Sequence, residues 1–408
     1  MSRIILSYLS QVSRVLLLFF LSLVLSREYG AIDKGKFDYT LLIFNIILNF
    51  GHFGLNNASL YFFNKYKNIY LKIIKANFTL LIILYAFYFL ILNNQFIQDL
   101  LSIQLGTSIL FAGILYACSL TLSNELKNLF VSINRINTVN TIELTSNTIN
   151  TIAIIIAIFL NFEIENFIVI YLMSYFLKIL ISIIILIRYK NLGVISKNSY
   201  QIDTNSINIL KNQVKFATAI YLSTFFVFMN YRIDQLFIKN FSGFADLGVY
   251  SLAVSLSELI FIVHLGIVNI LNSQMLNSKN IEDKIKGYKK YLKFSGILLL
   301  ILVPIAIAMS NLITVVFGQE FKGAVPVFII LIIANTIASF AKVSFSFLYS
   351  ENKNNFHLFV TFFTVSINII LNFLLIPDYG MLGAAYASLI SYMFYSISYF
   401  VYMKKKYL

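Results

Sequence analysis

Long apolar runs, separated by short polar stretches, are the feature that most limits how this chain folds. Each run is about 20 residues long, the length of helix that crosses the hydrocarbon core of a bilayer. Within lipid, every backbone N–H and C=O group needs a partner inside the protein, and continuous runs of this length favour helices. We therefore predict an all-α integral membrane protein with about 12 transmembrane helices, near residues 4–26, 38–62, 73–93, 104–133, 138–161, 166–188, 210–239, 247–272, 291–311, 325–349, 356–376 and 381–403.

Charge and composition agree with a lipid environment. Of the 408 residues, 59% are hydrophobic and only 12% are charged. The net charge of +14 would suit a nucleic-acid partner in a soluble protein, but here the lysines cluster in the short stretches between apolar runs. We interpret them as a topology signal and expect no nucleic-acid partner. By the positive-inside rule, both termini are predicted to be cytoplasmic. The location we expect is the cytoplasmic (inner) membrane of a bacterium.

Several kinds of chemistry are excluded by what the sequence contains. One cysteine, Cys118, and three scattered histidines provide neither a disulfide framework nor a metal-ligand spacing. The phosphate-binding motif of ATPases is absent, and no predicted loop is longer than about 20 residues, too little for a separate catalytic domain. We therefore predict a transporter, with no catalytic residue, metal or cofactor. An H⁺ or Na⁺ gradient or the membrane potential is expected to supply its energy.

A short motif occurs twice, 213 residues apart. Its first copy is Gly30, Asp33, Gly35 and Phe37, and its second is Gly243, Asp246, Gly248 and Tyr250. Each copy falls between the first and second predicted spans of a six-helix half, where glycine and aspartate suit a tight turn. We therefore predict an N-terminal six-helix bundle at 1–190, a cytoplasmic linker at 191–209 and a C-terminal six-helix bundle at 210–408.

Polar residues recur at helical spacing inside several predicted spans. A helix surface that faces lipid is apolar, so such stripes face other helices or water. Asp234 is expected to line a cavity more directly than Arg232, which points roughly the opposite way. The candidate cavity residues are Gln11, Arg14, Asn45, Asn49, His52, Asn56, Lys178, Asn230, Arg232, Asp234, Ser255, Glu258 and Lys342.

These residue types suit a ligand that combines phosphate with sugar hydroxyls. Arginine binds phosphate oxygens in pairs, and amide and hydroxyl groups meet sugar hydroxyls. Our hypothesis is that Arg14 and one of Lys178, Arg232 or Lys342 hold a diphosphate. In the same hypothesis, Asp234 and Glu258 adjust the opening of the two halves.

Several stretches resemble a known family. They are REYGAIDKGKFDYTLL, NFGHFGLNNASLYF, YRIDQLFIKNFSGFADLGVYSLAVSLSELI, FGQEFKGAVPVFIILI and NIILNFLLIPDYGMLGAAYASLIS. They are similar to stretches of O-antigen type oligosaccharide flippases, polysaccharide export proteins of the multidrug/oligosaccharidyl-lipid/polysaccharide (MOP) exporter superfamily. The most specific part is Leu375-Ile-Pro followed by Gly380, Gly383, Ala384 and Ala385.

The resemblance implies two six-helix bundles around a central cavity. It also implies a substrate, an undecaprenyl-diphosphate-linked oligosaccharide, turned from the cytoplasmic to the periplasmic face by alternating access for O-antigen, lipopolysaccharide or other surface polysaccharide. A polysaccharide polymerase and chain-length proteins are the implied partners, besides the lipid bilayer.

Two other functional classes remain open. A multidrug/cation antiporter of the same superfamily is expected to have an acidic cavity, whereas this chain offers more buried cations than acids. A membrane enzyme or scaffold of polysaccharide assembly is the alternative from a different class. An enzyme needs a catalytic cluster at a loop, and a scaffold has no use for a polar interior.

Overall fold

The structure, a computed structural model, describes residues 13, 16–65, 70–100, 105–191, 206–277, 280–351 and 353–408. This described part is almost entirely helical and contains no β-strand. The bounds of its helices are α1 (16–24), α2 (Gly30–Phe50), α3 (Leu55–Lys65), α4 (Tyr70–Leu92), α5 (Gln95–Leu100), α6 (Thr107–Ser132), α7 (Ile136–Phe159), α8 (Ile164–Ser174), α9 (Phe176–Asn191), α10 (Ser206–Asn277), α11 (Ile281–Ala308), α12 (Leu312–Phe317), α13 (Ala324–Ser350) and α14 (Asn354–Lys406). A π-helical turn, Leu25–Tyr29, connects α1 to α2.

Eight helices of the described part are long and apolar enough to cross a membrane. Two of them, in α10 and α14, each contain one glycine with non-helical backbone angles, Gly243 and Gly380. Each break falls between two predicted spans. The predicted all-α membrane architecture is therefore confirmed, while the count of twelve spans stays a prediction.

Two compact units divide the chain. One contains Met1–Leu21 and Thr40–Tyr221, and the other contains Ser22–Tyr39 and Leu222–Leu408. These units differ from the predicted bundles in two short stretches, since 22–39 group with the C-terminal unit and 210–221 with the N-terminal one.

In the N-terminal unit, α6 is the central helix and packs against α3, α4, α7, α8 and α9. Leu126, Leu129 and Phe130 are fully buried on it. Gly113 admits the ring of Phe44 so closely that a Cβ atom there would lie 2.0 Å from ring carbons. Burial on several faces explains how a membrane helix accommodates many small and polar residues at helix contacts.

The predicted span 38–62 is interrupted. The chain turns at 51–54, where Phe53 and Gly54 have φ angles of 47° and 80°, so that α2 ends at Phe50 and α3 starts at Leu55. His52 stabilises this turn, since its Nδ1 accepts a hydrogen bond from the Gly54 amide at 3.0 Å. A single continuous helix was therefore the wrong prediction for 38–62. The predicted span 166–188 has a local irregularity at Tyr175, between α8 and α9, but it lies within one candidate membrane span, Ile164–Asn191.

In the C-terminal unit, α13 packs against α11 and α14. The two arms of α14 meet at Gly380, which has a φ of 53°. Gly383 then lies so close to the preceding arm that a Cβ atom would be 2.3 Å from the carbonyl oxygen of Leu375. Ala384 and Ala385 are fully buried beside it. The small residues of the sequence motif at 375–385 therefore form a sharp, closely packed turn.

The two copies of the repeated motif pack against each other inside this unit. Gly30 and Gly243 both have positive φ angles, 74° and 89°, which glycine adopts without steric cost. A Cβ atom on Gly35 would lie 1.9 Å from the carbonyl oxygen of Phe244, and one on Gly248 would lie 2.0 Å from that of Ala31. Reciprocal glycine contacts therefore bring the two backbones together.

Polar contacts also stabilise the packing around the two motif copies. Lys34, only 2% exposed, places its Nζ 2.5 Å from Asp38 Oδ2 and 3.3 Å from Ser251 Oγ, and the Ser251 hydroxyl also donates to Asp38. The Ala31 amide donates to Glu320 Oε2 at 3.0 Å, which satisfies an N–H group at the start of α2. The segment 22–39 is thereby joined to the C-terminal unit.

Candidate functional site

An ion pair joins the two arms of α10. The two Nη atoms of Arg232 lie 2.7 and 2.9 Å from the two carboxylate oxygens of Glu258, a bidentate geometry. The Arg232 and Glu258 side chains are 29% and 26% exposed, so the pair is accessible at one edge. The break at Gly243 makes this contact possible because it lets residues 26 positions apart lie side by side.

Lys342 of α13 adds a second cation to this pair. Its Nζ lies 3.1 Å from the ring centroid of Phe261 and 5.2 Å from that of Tyr231, as expected for cation–π contacts. Within the described ranges, no carboxylate oxygen lies within 4.0 Å of this ammonium group. The Arg232–Glu258–Lys342 cluster therefore contains two cations and one carboxylate, an excess of positive charge among these three side chains, and Asp234 is a further acid that acts electrostatically on Arg232.

Asp234 lies two residues from Arg232 but in a different environment. It is 3% exposed and accepts hydrogen bonds from the hydroxyls of Tyr250 and Ser388 and from the Gln235 amide. These contacts connect both arms of α10 to α14. The expected order of accessibility is therefore reversed, because the structure encloses Asp234 and leaves Arg232 partly open.

A small cavity lies beside this region. Its volume is about 10 Å³, roughly that of one water molecule, and Asn230, Tyr231, Thr361 and Tyr392 contribute to its wall. Asn230 is buried, and its Oδ1 atom makes no hydrogen bond to the described part of the chain. This arrangement accommodates one water but not a sugar headgroup.

The predicted residues of the N-terminal unit form separate contacts. Lys178 Nζ is 2.8 Å from Glu143 Oε2, so its charge is neutralised. Asn45 accepts from the Tyr116 hydroxyl at 3.3 Å, and Asn49 donates to the Asn45 carbonyl at 2.8 Å. These groups do not converge on one charged site.

The remaining predicted residues have simpler roles or lie elsewhere. Ser255 donates to the carbonyl of Ser251 at 2.8 Å, one helical turn away. The Asn56 carbonyl accepts from Asn128 at 2.9 Å. Gln11 and Arg14 lie outside the described residues, so their part in the hypothesis stays a prediction.

A buried carboxyl group on α6 was missed by the stripe criterion. Glu125 is fully buried, and its Oε2 accepts from Asn77 at 3.0 Å, with Ser59 as a further hydrogen-bond partner. Glu125 Oε1 and Asn77 Oδ1 have no partner among the residues that the structure describes. A charge inside a predicted span was the available signal, and the same signal applies to Glu143, the partner of Lys178.

Comparison with known proteins supports the fold. No protein-family model matches the chain. An uncharacterized membrane protein of Methanocaldococcus jannaschii is 31% identical over 117 residues, which is 26% of this chain and 23% of that protein. This chain therefore matches less than a quarter of that relative's length.

Solved structures match almost the whole chain. An inward-facing multidrug resistance MATE family transporter of the MOP superfamily has a TM-score of 0.76 at 14% identity, over 98% of this chain and 96% of that one. A MOP superfamily transporter from Pyrococcus furiosus, described by the reversed polarity of its binding pocket, scores 0.64 at 15% identity, over 99% and 92%. The lipid II flippase MurJ in an inward closed conformation scores 0.65 at 15% identity, over 98% and 87%.

These likenesses define the class of protein. The chain is a multi-pass membrane protein with the fold of MOP superfamily transporters. Its similar structures include both a multidrug resistance transporter and a lipid II flippase, so the fold is common to proteins with different cargoes.

Proposed function

We propose that the protein is a flippase for an anionic lipid-linked oligosaccharide, with an undecaprenyl-diphosphate-linked repeat unit as the substrate. It turns this unit from the cytoplasmic to the outer face of the cytoplasmic membrane, for O-antigen or another surface polysaccharide. Both termini lie in the cytoplasm, and a polymerase and chain-length proteins take up the product. An H⁺ or Na⁺ gradient or the membrane potential drives the cycle.

The observation that carries this proposal is the positive excess of the Arg232–Glu258–Lys342 cluster. Charged side chains inside membrane proteins are costly, and they are retained where they pair or serve a cargo. Glu258 pairs with Arg232 in a bidentate contact, and the Lys342 ammonium group contacts aromatic rings while the Glu258 charge acts on it from beyond ion-pair distance. An ammonium group in this state offers a phosphate oxygen a strong partner.

Two of the similar proteins add support. MurJ is named as a lipid II flippase, and the Pyrococcus furiosus transporter is named for a pocket of reversed polarity. The first is a protein of this fold that is named for a lipid cargo, and the second is described as having a different function suggested by its pocket. A cluster with excess positive charge suits an anionic cargo better than a cationic drug.

One observation favours the multidrug/cation antiporter as a second candidate. Glu125 is a fully buried carboxyl group with no basic partner within hydrogen-bond or ion-pair distance in the described residues. An antiporter that exchanges a cationic drug for a cation needs acidic groups of this kind. The two candidates make opposite predictions about Lys342, because removal of a cation impairs binding of an anion and does not impair binding of a cation.

The decisive experiment is reconstitution in proteoliposomes that contain undecaprenyl-diphosphate-linked oligosaccharide in both leaflets. Flipping is measured as the fraction of the lipid that an enzyme or lectin added outside reaches over time. We expect Lys342→Ala to lower the apparent affinity about tenfold or more, since a hydrogen bond to a charged group is lost, and Lys342→Arg to restore much of it. Lys404→Ala, which removes one cation from the C-terminal end of α14, is the matched control.

Deletion of the gene in its host gives a second readout. Accumulation of complete lipid-linked units on the cytoplasmic face, together with loss of surface polymer, supports the flippase. Normal polymer together with raised sensitivity to cationic drugs refutes it in favour of the antiporter. Equal flipping by wild type and Lys342→Ala contradicts the role of the cluster.

A further inference from the structure

A large groove lies between α11, α13 and α14 of the C-terminal unit. Its volume is about 530 Å³, within the usual range of small-molecule sites. The groove is lined by Tyr288, Lys289, Leu292, Lys293, Phe340, Ser344, Ser396, Ile397 and Phe400. None of these residues belongs to the Arg232–Glu258–Lys342 cluster, so this is a separate site.

Two lysines belong to the lining of this groove. Lys289 and Lys293 are four residues apart on α11, one turn along the same face, and both are exposed. In the described part of the chain, neither has a carboxylate oxygen within 4.0 Å, whereas Lys284 of the same helix pairs with Glu351 at 2.7 Å. The two ammonium groups are therefore available to an anionic ligand.

The walls of the groove are apolar. Ile397 and Phe400 are each 56% exposed, and Phe340 and Leu292 also line the groove. The polar groups of the lining are already satisfied, since the Tyr288 and Ser344 hydroxyls share a hydrogen bond of 3.0 Å and Ser396 donates to the carbonyl of Ile337. The groove therefore offers hydrocarbon contact together with two positive charges.

We propose that this groove binds an anionic phospholipid. The phosphate lies between Lys289 and Lys293, and one acyl chain runs along Ile397 and Phe400. Basic pockets between transmembrane helices bind acidic lipid headgroups by this combination of charge and apolar contact. Because the lipid contacts three helices of the C-terminal unit, the stability of this unit depends on the acidic lipid content of the membrane.

The size of the groove selects the occupant. A volume of about 530 Å³ lies within the range of small-molecule sites, so it suits one acyl chain with a small headgroup. An oligosaccharide carried on a long polyprenyl tail is a larger ligand. The proposal therefore commits to a resident phospholipid rather than to the lipid-linked cargo, and it stands whether or not the protein is a flippase.

The test measures phospholipid bound to the full-length purified protein. Protein in a neutral detergent is mixed with phosphatidylglycerol or phosphatidylcholine, and bound lipid is counted by native mass spectrometry. We expect the double variant Lys289→Ala/Lys293→Ala to weaken phosphatidylglycerol binding by about 30-fold, since the two lysines contribute about equally to the attraction of the acidic headgroup. Lys286→Ala/Lys290→Ala is the matched control, with the same charge change and spacing on α11 outside the groove.

A second variant tests the hydrocarbon part of the site. Ile397→Trp fills the groove from an exposed position, so the fold tolerates it, and we expect it to displace the lipid without any change of charge. Thermal melting in detergent alone verifies that all variants remain folded.

Four outcomes overturn the proposal. Equal loss in both double variants indicates general charge attraction, and equal binding of phosphatidylcholine removes the role of the lysines. Displacement of the lipid by an undecaprenyl diphosphate probe at lower concentration than by phosphatidylglycerol assigns the groove to the cargo. Inorganic phosphate is the remaining probe. If phosphate alone raises the melting temperature as much as phosphatidylglycerol does, the acyl chain has no part in binding.

Discussion

Gly248→Ala is the substitution whose effect follows most directly from the structure. The added Cβ atom would lie 2.0 Å from the carbonyl oxygen of Ala31 and 3.0 Å from the Gly35 amide nitrogen. Ordinary contact begins near 3.4 Å, so the backbone around Ala31 has to move by about 1.4 Å. Neither neighbour is a flexible side chain, because both atoms belong to the backbone of α2.

The expected magnitude combines three effects. Overpacking of a close contact costs about 1–3 kcal/mol, and a backbone clash belongs at the upper end. Displacement of α2 also strains the Lys34–Asp38–Ser251 hydrogen bonds, a loss of about 1 kcal/mol. Alanine regains about 1 kcal/mol of helix propensity over glycine. We therefore expect a net loss of about 3 kcal/mol in the free energy of unfolding.

Thermal melting of a fluorescent fusion protein, followed by size-exclusion chromatography in detergent, measures this loss. Gly287→Ala is the matched control, since a Cβ atom there has no neighbour within 4 Å and the helix gains propensity. Gly35→Ala should behave like Gly248→Ala, because its Cβ atom would lie 1.9 Å from the Phe244 carbonyl oxygen. The double variant should lose less than the sum of the two, since one separation of the backbones relieves both clashes. A Gly248→Ala melting curve that coincides with that of Gly287→Ala would refute the reasoning.

Substitutions at two further places, one in each unit, test charged side chains by the same melting assay. Glu258→Gln should lower the free energy of unfolding by about 1–3 kcal/mol, because Arg232 loses its counter-ion. This cost is smaller than for a fully buried pair, since Arg232 keeps some contact with solvent. The double variant Arg232→Met/Glu258→Leu should recover most of the loss, and full stability of Glu258→Gln would contradict the prediction. Glu125→Gln should melt near wild type, because the glutamine side chain keeps the shape of glutamate and can still accept from the Asn77 amide. Glu125→Leu should cost about 1–3 kcal/mol, because it leaves the Asn77 amide without its acceptor. Equal melting of these two variants would show that the Glu125 carboxyl group has no structural role.

The repeated motif shows how far the sequence leads. Its glycines were predicted to lie at turns, and Gly30 and Gly243 do adopt positive φ angles there. The 213-residue spacing was visible in the sequence, but it did not reveal that the two copies contact each other through Gly35 and Gly248. Such a contact depends on where two distant segments meet.

The charged residues show where pattern reasoning stops. Arg232 and Asp234 are neighbours on one helix, and helical spacing alone favoured Asp234 as the accessible group. The structure reverses this order because Tyr250 and Ser388, from distant positions, enclose Asp234. Similarly, the sequence predicted Lys178 to be a cation available to the cargo, whereas the structure pairs it with Glu143.

Local chemistry therefore determined the class of this protein, and tertiary packing decided the roles of its residues. Apolar runs of membrane length and clusters of lysine between them specify a helical membrane protein, since each segment must satisfy its own backbone groups in lipid. Other features arise only when distant helices pack. They are the break at 51–54, the partners of each buried charge and the groove lined by Lys289 and Lys293. Electrostatic and steric energies act over a few ångströms in space, and separation along the chain does not specify those distances.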